Sequence, residues 1–172
     1  MRVFLVGYMG VGKTTIGKKI ANRMGLKFID LDRVISNEVS MSISQIVDTK
    51  GEKYFRQLER KSLIKIAKME NVLVATGGGA PCFYDNMKLI NQSGVSVFLE
   101  LDEKSLVKRL LLGQNTRPLL KGKTGNELLD FVNIHLAERI TFYNQSDICF
   151  NTLNADKDSL DVLVARITNY SK

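Results

Sequence analysis

The 172-residue sequence holds only two cysteines and one histidine, and it has no apolar run of membrane-spanning length, no internal repeat and no linker. Each shortage excludes something. Cys82 and Cys149 stand in no metal-binding or redox spacing, which suits a reducing compartment. No stretch is long and apolar enough for a transmembrane helix, so no membrane partner is expected. The first apolar run begins at Val3, leaving no room for a signal peptide, and a cytoplasmic location is expected. The formal net charge of +7 comes without a basic tail, because lysine and arginine are spread along the chain. Nucleic-acid binding is therefore not expected, and the excess reads as a solvated basic surface that can also steer small anions inward. A chain that is 44% hydrophobic and 25% charged is an ordinary globular composition, and residues 1–172 read as one domain.

What is present centres on Gly7-Tyr8-Met9-Gly10-Val11-Gly12-Lys13-Thr14, a full match to G-x-x-x-x-G-K-[ST]. The apolar run 3–6 before it reads as a buried parallel strand, and residues 15–24 after it repeat apolar side chains at helical spacing up to Gly25. Strand, loop and helix in that order form a phosphate cradle. Its backbone N–H groups converge on an anion, and the helix N-terminus adds positive potential. Lys13 is then placed for the β and γ phosphates and Thr14 for Mg²⁺, so a nucleoside triphosphate such as ATP is the expected ligand.

Strands and helices alternate along the rest of the chain, which predicts an α/β fold with a parallel sheet covered on both faces. Further strands are expected at 27–29, 72–75, 95–99 and 148–150, and helices near 52–69, 83–91, 103–112, 126–143 and 157–169. Ligands of such a sheet lie beyond the strands' carboxyl ends, so those ends are where chemistry is expected. The second strand runs into Asp30-Leu31-Asp32. An aspartate there can cap a helix, but beside a phosphate loop the pair suits phosphoryl transfer, Asp32 orienting or deprotonating a hydroxyl and Asp30 acting through metal-bound water. Arg56 and Glu59 are neighbours at i, i+3, either as a surface ion pair or as a fork held ready for a carboxylate. Thr76-Gly77-Gly78-Gly79 ends the third strand with a bend open to close ligand approach. Residues 112–125, with Arg117, have the glycines and cations of a lid over phosphates. On the helix at 126–143, Leu128, Val132, Leu136 and Tyr143 share a face with Arg139 and His135. An inward arginine needs an anion from protein or ligand, and His135 reads as structural.

In order and spacing, GYMGVGKTT, DLD, GEKYFRQLE, TGGG, NTRPLL, ERITFYNQ and Asn151-Thr152 together resemble the shikimate kinases over nearly the whole chain. The resemblance implies a P-loop kinase fold with a five-stranded parallel sheet of order 2-3-1-4-5, a substrate-binding region near 31–62, a mobile lid and a monomer. It implies transfer of the ATP γ-phosphate, with Mg²⁺, to the 3-hydroxyl of shikimate on the route to aromatic amino acids. Lys13, Asp32 and Arg117 would then be catalytic. Gly10, Val11, Gly12, Lys13, Thr14, Thr15 and Arg117 would hold the nucleotide's phosphates, with Asn154 and Arg109 candidates at the adenine. Asp32, Arg56, Gly78, Gly79 and Arg139 would hold shikimate, and Thr14 and Asp30, the latter through water, the metal. Val47 and Ser40 depart from the aromatic residue and the glycine frequent in that family, and Ala155-Asp156 lacks an arginine often found by the adenine. The alternatives are a gluconate or nucleoside monophosphate kinase of the same fold, or a non-catalytic ATP-binding module.

Overall fold

The computed structural model describes residues 1–112 and 125–170. Five parallel strands form one sheet: β1 (Arg2–Val6), β2 (Lys27–Asp30), β3 (Val72–Ala75), β4 (Val95–Glu100) and β5 (Ile148–Asn151), in spatial order 2-3-1-4-5. This is the expected order, and burial follows it. β1 lies in the middle with Val3 to Val6 all buried, and β3 beside it is buried throughout. The edge strands β2 and β5 are only partly covered, as KFID and ICFN would suggest.

The helices are α1 (Lys13–Met24), α2 (Leu31–Val39), α3 (Ile43–Lys50), α4 (Glu52–Ile66), α5 (Asn86–Ser93), α6 (Glu103–Leu112), α7 (Gly125–Tyr143) and α8 (Lys157–Thr168). Two of them, α2 and α3, are absent from the reading of the sequence. Asp30 caps α2 by accepting from the Arg33 amide, and Ser42 with Gln45 forms a reciprocal capping box on α3. Both signals are local and visible, but each helix is too short for its apolar periodicity to stand out. Ser40 ends α2 with φ 54°, the left-handed conformation that explains a frequent glycine there. The helix expected from 83 begins at Asn86, because Pro81 starts a short 3-10 turn at Ala80–Cys82 first.

Parallel register decides where the strand ends meet. Asp30 pairs with Ala75, and Ala75 with Leu5. Thr76 extends the ladder by one residue, its amide and hydroxyl both donating to the Leu5 carbonyl at 3.1 and 3.0 Å. The phosphate loop, the Asp30-Leu31-Asp32 turn and the three glycines thus leave the sheet side by side. Among the described residues no helix is long and apolar enough to cross a membrane.

Candidate active site

The loop between β1 and α1 has glycines at φ 134°, 84° and 105° (Gly7, Gly10 and Gly12), the mixed-hand backbone that turns successive amides toward one centre. Lys13 opens α1 and is buried, its ammonium donating to the Gly7 and Tyr8 carbonyls at 2.6 and 2.9 Å. The Thr14 hydroxyl donates to Asp30 Oδ2 at 2.8 Å, while Asp30 Oδ1 accepts from the Arg33 amide. Asp30 is therefore both the helix cap and the partner of Thr14. A threonine hydroxyl beside a carboxylate is a hard oxygen pair of the kind that holds Mg²⁺ together with phosphates and water.

Asp32 lies in the first turn of α2, and its Oδ1 is buried without a hydrogen-bond partner. Glu59 Oε1, on α4, is the same. The two converge: a Cβ placed on Gly77 would lie 2.8 Å from the first and 2.7 Å from the second. Only a residue without a side chain lets both carboxylates reach this point. Burial pushes the Asp32 carboxyl upward, and Asp30 adds to that while Lys13 and Arg56 oppose it. Burial raises Glu59 to about 7 against the pull of Arg56. Two buried carboxylate oxygens lacking donors can accept from hydroxyl groups of a ligand.

Arg56 stands beside them on α4. Its Nη1 donates to Glu59 Oε2 at 2.8 Å, and Nε and Nη2 donate to Glu52 Oε1 at 3.3 and 3.1 Å. Its guanidinium plane lies 4.0 Å from the Phe83 ring centre and 4.9 Å from that of Phe55. A Cβ on Gly79 would come within 2.7 Å of Nη2, so that glycine too is needed for close approach. Arg139, half-buried on α7, forms no ion pair with a described residue, and its guanidinium lies 5.8 Å from the Tyr8 ring centre. It nonetheless acts on the same spot as Arg56, since both guanidinium groups pull down the Glu59 and Cys82 acids that burial raises. Tyr143, also on α7, donates to the Gly78 carbonyl at 2.6 Å and ties the glycine turn to that helix. The stripe expected on α7 is present, with Leu128, Val132 and Tyr143 fully buried and Leu136 packed at its edge.

On the nucleotide side, Arg109 bridges two loops, donating to the Val11 carbonyl at 3.0 Å and to the Thr152 carbonyl at 3.2 Å. Asn154 is exposed in the same loop as Thr152, its carbonyl accepting from the Asp156 amide. Arg117 and residues 113–124 of the expected lid lie outside the described residues. Three contacts were missed in the sequence. Glu52 sits at i, i+4 from Arg56, a visible spacing. Phe83 under Arg56 and His135 against Tyr8, 127 residues apart, have no sequence signal.

The family model for shikimate kinase matches residues 9–169. The chain belongs to the shikimate kinase family. A shikimate kinase from Parabacteroides distasonis is 50% identical over 150 residues, covering 87% of each chain. The solved shikimate kinase from Bacteroides thetaiotaomicron superposes with a TM-score of 0.90 at 42% identity, covering 98% of this chain and 96% of that one. The shikimate kinase from Acinetobacter baumannii, solved in complex with shikimate, has a TM-score of 0.80 at 28% identity over 97% of this chain and 90% of that one. Membership in the shikimate kinase family carries ATP use with it.

Proposed function

We propose that the chain transfers the γ-phosphoryl group of ATP to the 3-hydroxyl of shikimate in aromatic amino acid biosynthesis. The observation that carries this reading is the pair of orphan oxygens, Asp32 Oδ1 and Glu59 Oε1, converging at Gly77 beside two arginines and next to the phosphate loop. A ligand suited to that corner has hydroxyl donors for the carboxylates and a carboxylate for the arginines. Asp32 takes the proton as the hydroxyl oxygen bonds to the γ-phosphorus and the bond to ADP breaks. Lys13 swings from the Gly7 and Tyr8 carbonyls to the transferring phosphates, which the backbone of Gly10 to Thr15 would cradle. Arg56 and Arg139 share the acid's carboxylate, and Gly78 and Gly79 meet the substrate through their backbone. Mg²⁺, held by Thr14 and through water by Asp30, would neutralise phosphate charge. Arg117 supplies a further cation from the segment outside the described residues, and Asn154 and Arg109 flank the adenine. We take the enzyme to act as a monomer, and two free cysteines support a cytoplasmic setting. ADP release measured with shikimate, gluconate and nucleoside monophosphates tests the assignment. Turnover confined to shikimate is expected. Turnover with another acceptor, or binding of ATP with no turnover at all, would replace it.

A further inference from the structure

The chain's single histidine reads as structural in the sequence, yet it reaches the phosphate loop. His135 Nδ1 lies 2.8 Å from the Tyr8 hydroxyl, and the two rings meet edge to face at 5.6 Å. Phe131, one turn earlier on α7, tilts against the imidazole at 5.0 Å. Tyr8 is buried within the phosphate loop, and the same ring has Arg139 5.8 Å from its centre. We infer that His135 is a positioning residue for the acid-binding half of the site: as a neutral imidazole it accepts the Tyr8 phenolic proton and so fixes the ring against which Arg139 lies. The function of that ring as Arg139's seat rests on the proposed shikimate kinase reading, but the hydrogen bond and its tautomer do not.

Direction of the proton follows from the surroundings. Burial pushes the Tyr8 phenol up to about 12, with Arg139 opposing and Glu138 adding, so the phenol keeps its proton and has it to donate to the facing nitrogen. Nδ1 is then the acceptor and Nε2 carries the hydrogen. Burial, then Arg139 beside it, hold the imidazole below its ordinary range; Glu138 on α7 and Glu52 on α4 push the other way, and Arg56 on α4 adds to the lowering. A cationic imidazole would have no lone pair for Tyr8 and would face Arg139 as a like charge. The link should therefore fail on acidification, with the Arg139 seat loosening as it does.

Because there is one histidine, its ring nitrogens can be observed by NMR without assignment, and independently of activity. We expect the Nε2–H tautomer near neutral pH, a titration below 6.5, and a changed Nδ1 shift in Tyr8→Phe. A protonated Nδ1, or a spectrum indifferent to Tyr8→Phe, overturns the inference. In steady-state assays Tyr8→Phe and His135→Leu should each raise the KM for shikimate about fivefold, in keeping with one hydrogen bond, while sparing kcat and the KM for ATP. The double variant should be no worse than either single one. His135→Asn, whose side-chain oxygen can accept in place of Nδ1, should restore most of the loss and remove the extra rise in KM that the wild type shows toward acid pH. Equal losses for both substrates, with no rescue by asparagine, would reduce His135 to a packing residue. Wild-type inactivity with shikimate would instead overturn the proposed function, leaving the NMR result to decide the hydrogen bond.

Discussion

The two halves of the site are built in opposite ways. The phosphate side is eight consecutive residues running from the end of one strand into the first turn of one helix, and most of what it offers an anion is backbone N–H. The acid side draws Asp32 from α2, Arg56 and Glu59 from α4, three glycines from the end of β3, and Arg139 and Tyr143 from α7. A backbone cradle needs only local dihedral angles, so its requirements are written as a contiguous motif. A side-chain cradle needs several elements to arrive at one point, so its residues are scattered and individually ambiguous. The difference predicts how each half should fail. Damage to the first should stop the chemistry, whereas damage to the second should weaken recognition of one substrate.

Lys13→Ala should give the largest effect. Removing the cation that meets the transferring phosphates is expected to lower kcat by about a thousandfold or more in a correctly folded variant. Near-normal turnover would sink the phosphate assignment and with it the contrast. Asp32→Asn comes next, because it sits on the seam between the halves: turnover should drop about a hundredfold with ATP binding kept, as measured by single-turnover kinetics and nucleotide titration on one preparation. Loss of ATP binding with unchanged turnover per bound nucleotide would move Asp32 to the phosphate side.

Arg56→Ala and Arg139→Ala should each lower kcat/KM for shikimate about thirtyfold while leaving the KM for ATP alone. Lysine at either position should recover only part, since a point charge cannot reproduce a planar fork. An acceptor analogue lacking the carboxylate should be poor for wild type and no worse for the variants. If both acceptors lose the same factor, the arginines hold the fold and not the ligand.

The smallest effect is thermodynamic and belongs to Glu59. The unfolded carboxyl titrates near 4.5 and the folded one near 7, so the fold binds the extra proton between those values. This group's contribution to stability is full below the lower pH and is lost as pH rises through the upper one. Thermal unfolding should therefore show wild type losing stability relative to Glu59→Gln between about pH 4.5 and 7. The neutral amide also escapes the like charge of Asp32, which adds to the rise of the Glu59 carboxyl. Parallel pH profiles would mean that Glu59 keeps its charge through that window, held there by Arg56.

Legibility in the sequence followed the same divide. The loop, the sheet class and the inner strands β1, β3 and β4 could be read from apolar runs and the glycines between them, because buried parallel strands need continuous apolar side chains. The short helices α2 and α3 could not, although their caps at Asp30 and Ser42 are written plainly. At Arg56 the spacing to Glu59 was visible, but choosing between a surface pair and a ligand grip needed the resemblance. The structure adds its own reason, a side chain only 12% exposed between two aromatic rings. For Arg139 the inward stripe predicts an anionic partner, and among the described residues the arginine forms no ion pair. His135 reads as structural, and its partner Tyr8, 127 residues away, has no periodic relation to it that the sequence could show.

What the sequence by itself determined is the part governed by neighbours along the chain: a phosphate-binding turn, its lysine and threonine, the alternation that makes a parallel sheet, and the glycines that end β3. What only the tertiary structure decided is convergence. Parallel register put Asp30 beside Ala75 and Ala75 beside Leu5. That pairing brought α2, the glycine turn and the phosphate loop to one edge, and α7 then closed over it through Tyr143 and Tyr8. The orphan oxygens of Asp32 and Glu59 exist only once α2, α4 and the glycine turn have met at Gly77, because a carboxylate is costly and meaningful when packing has taken its water away.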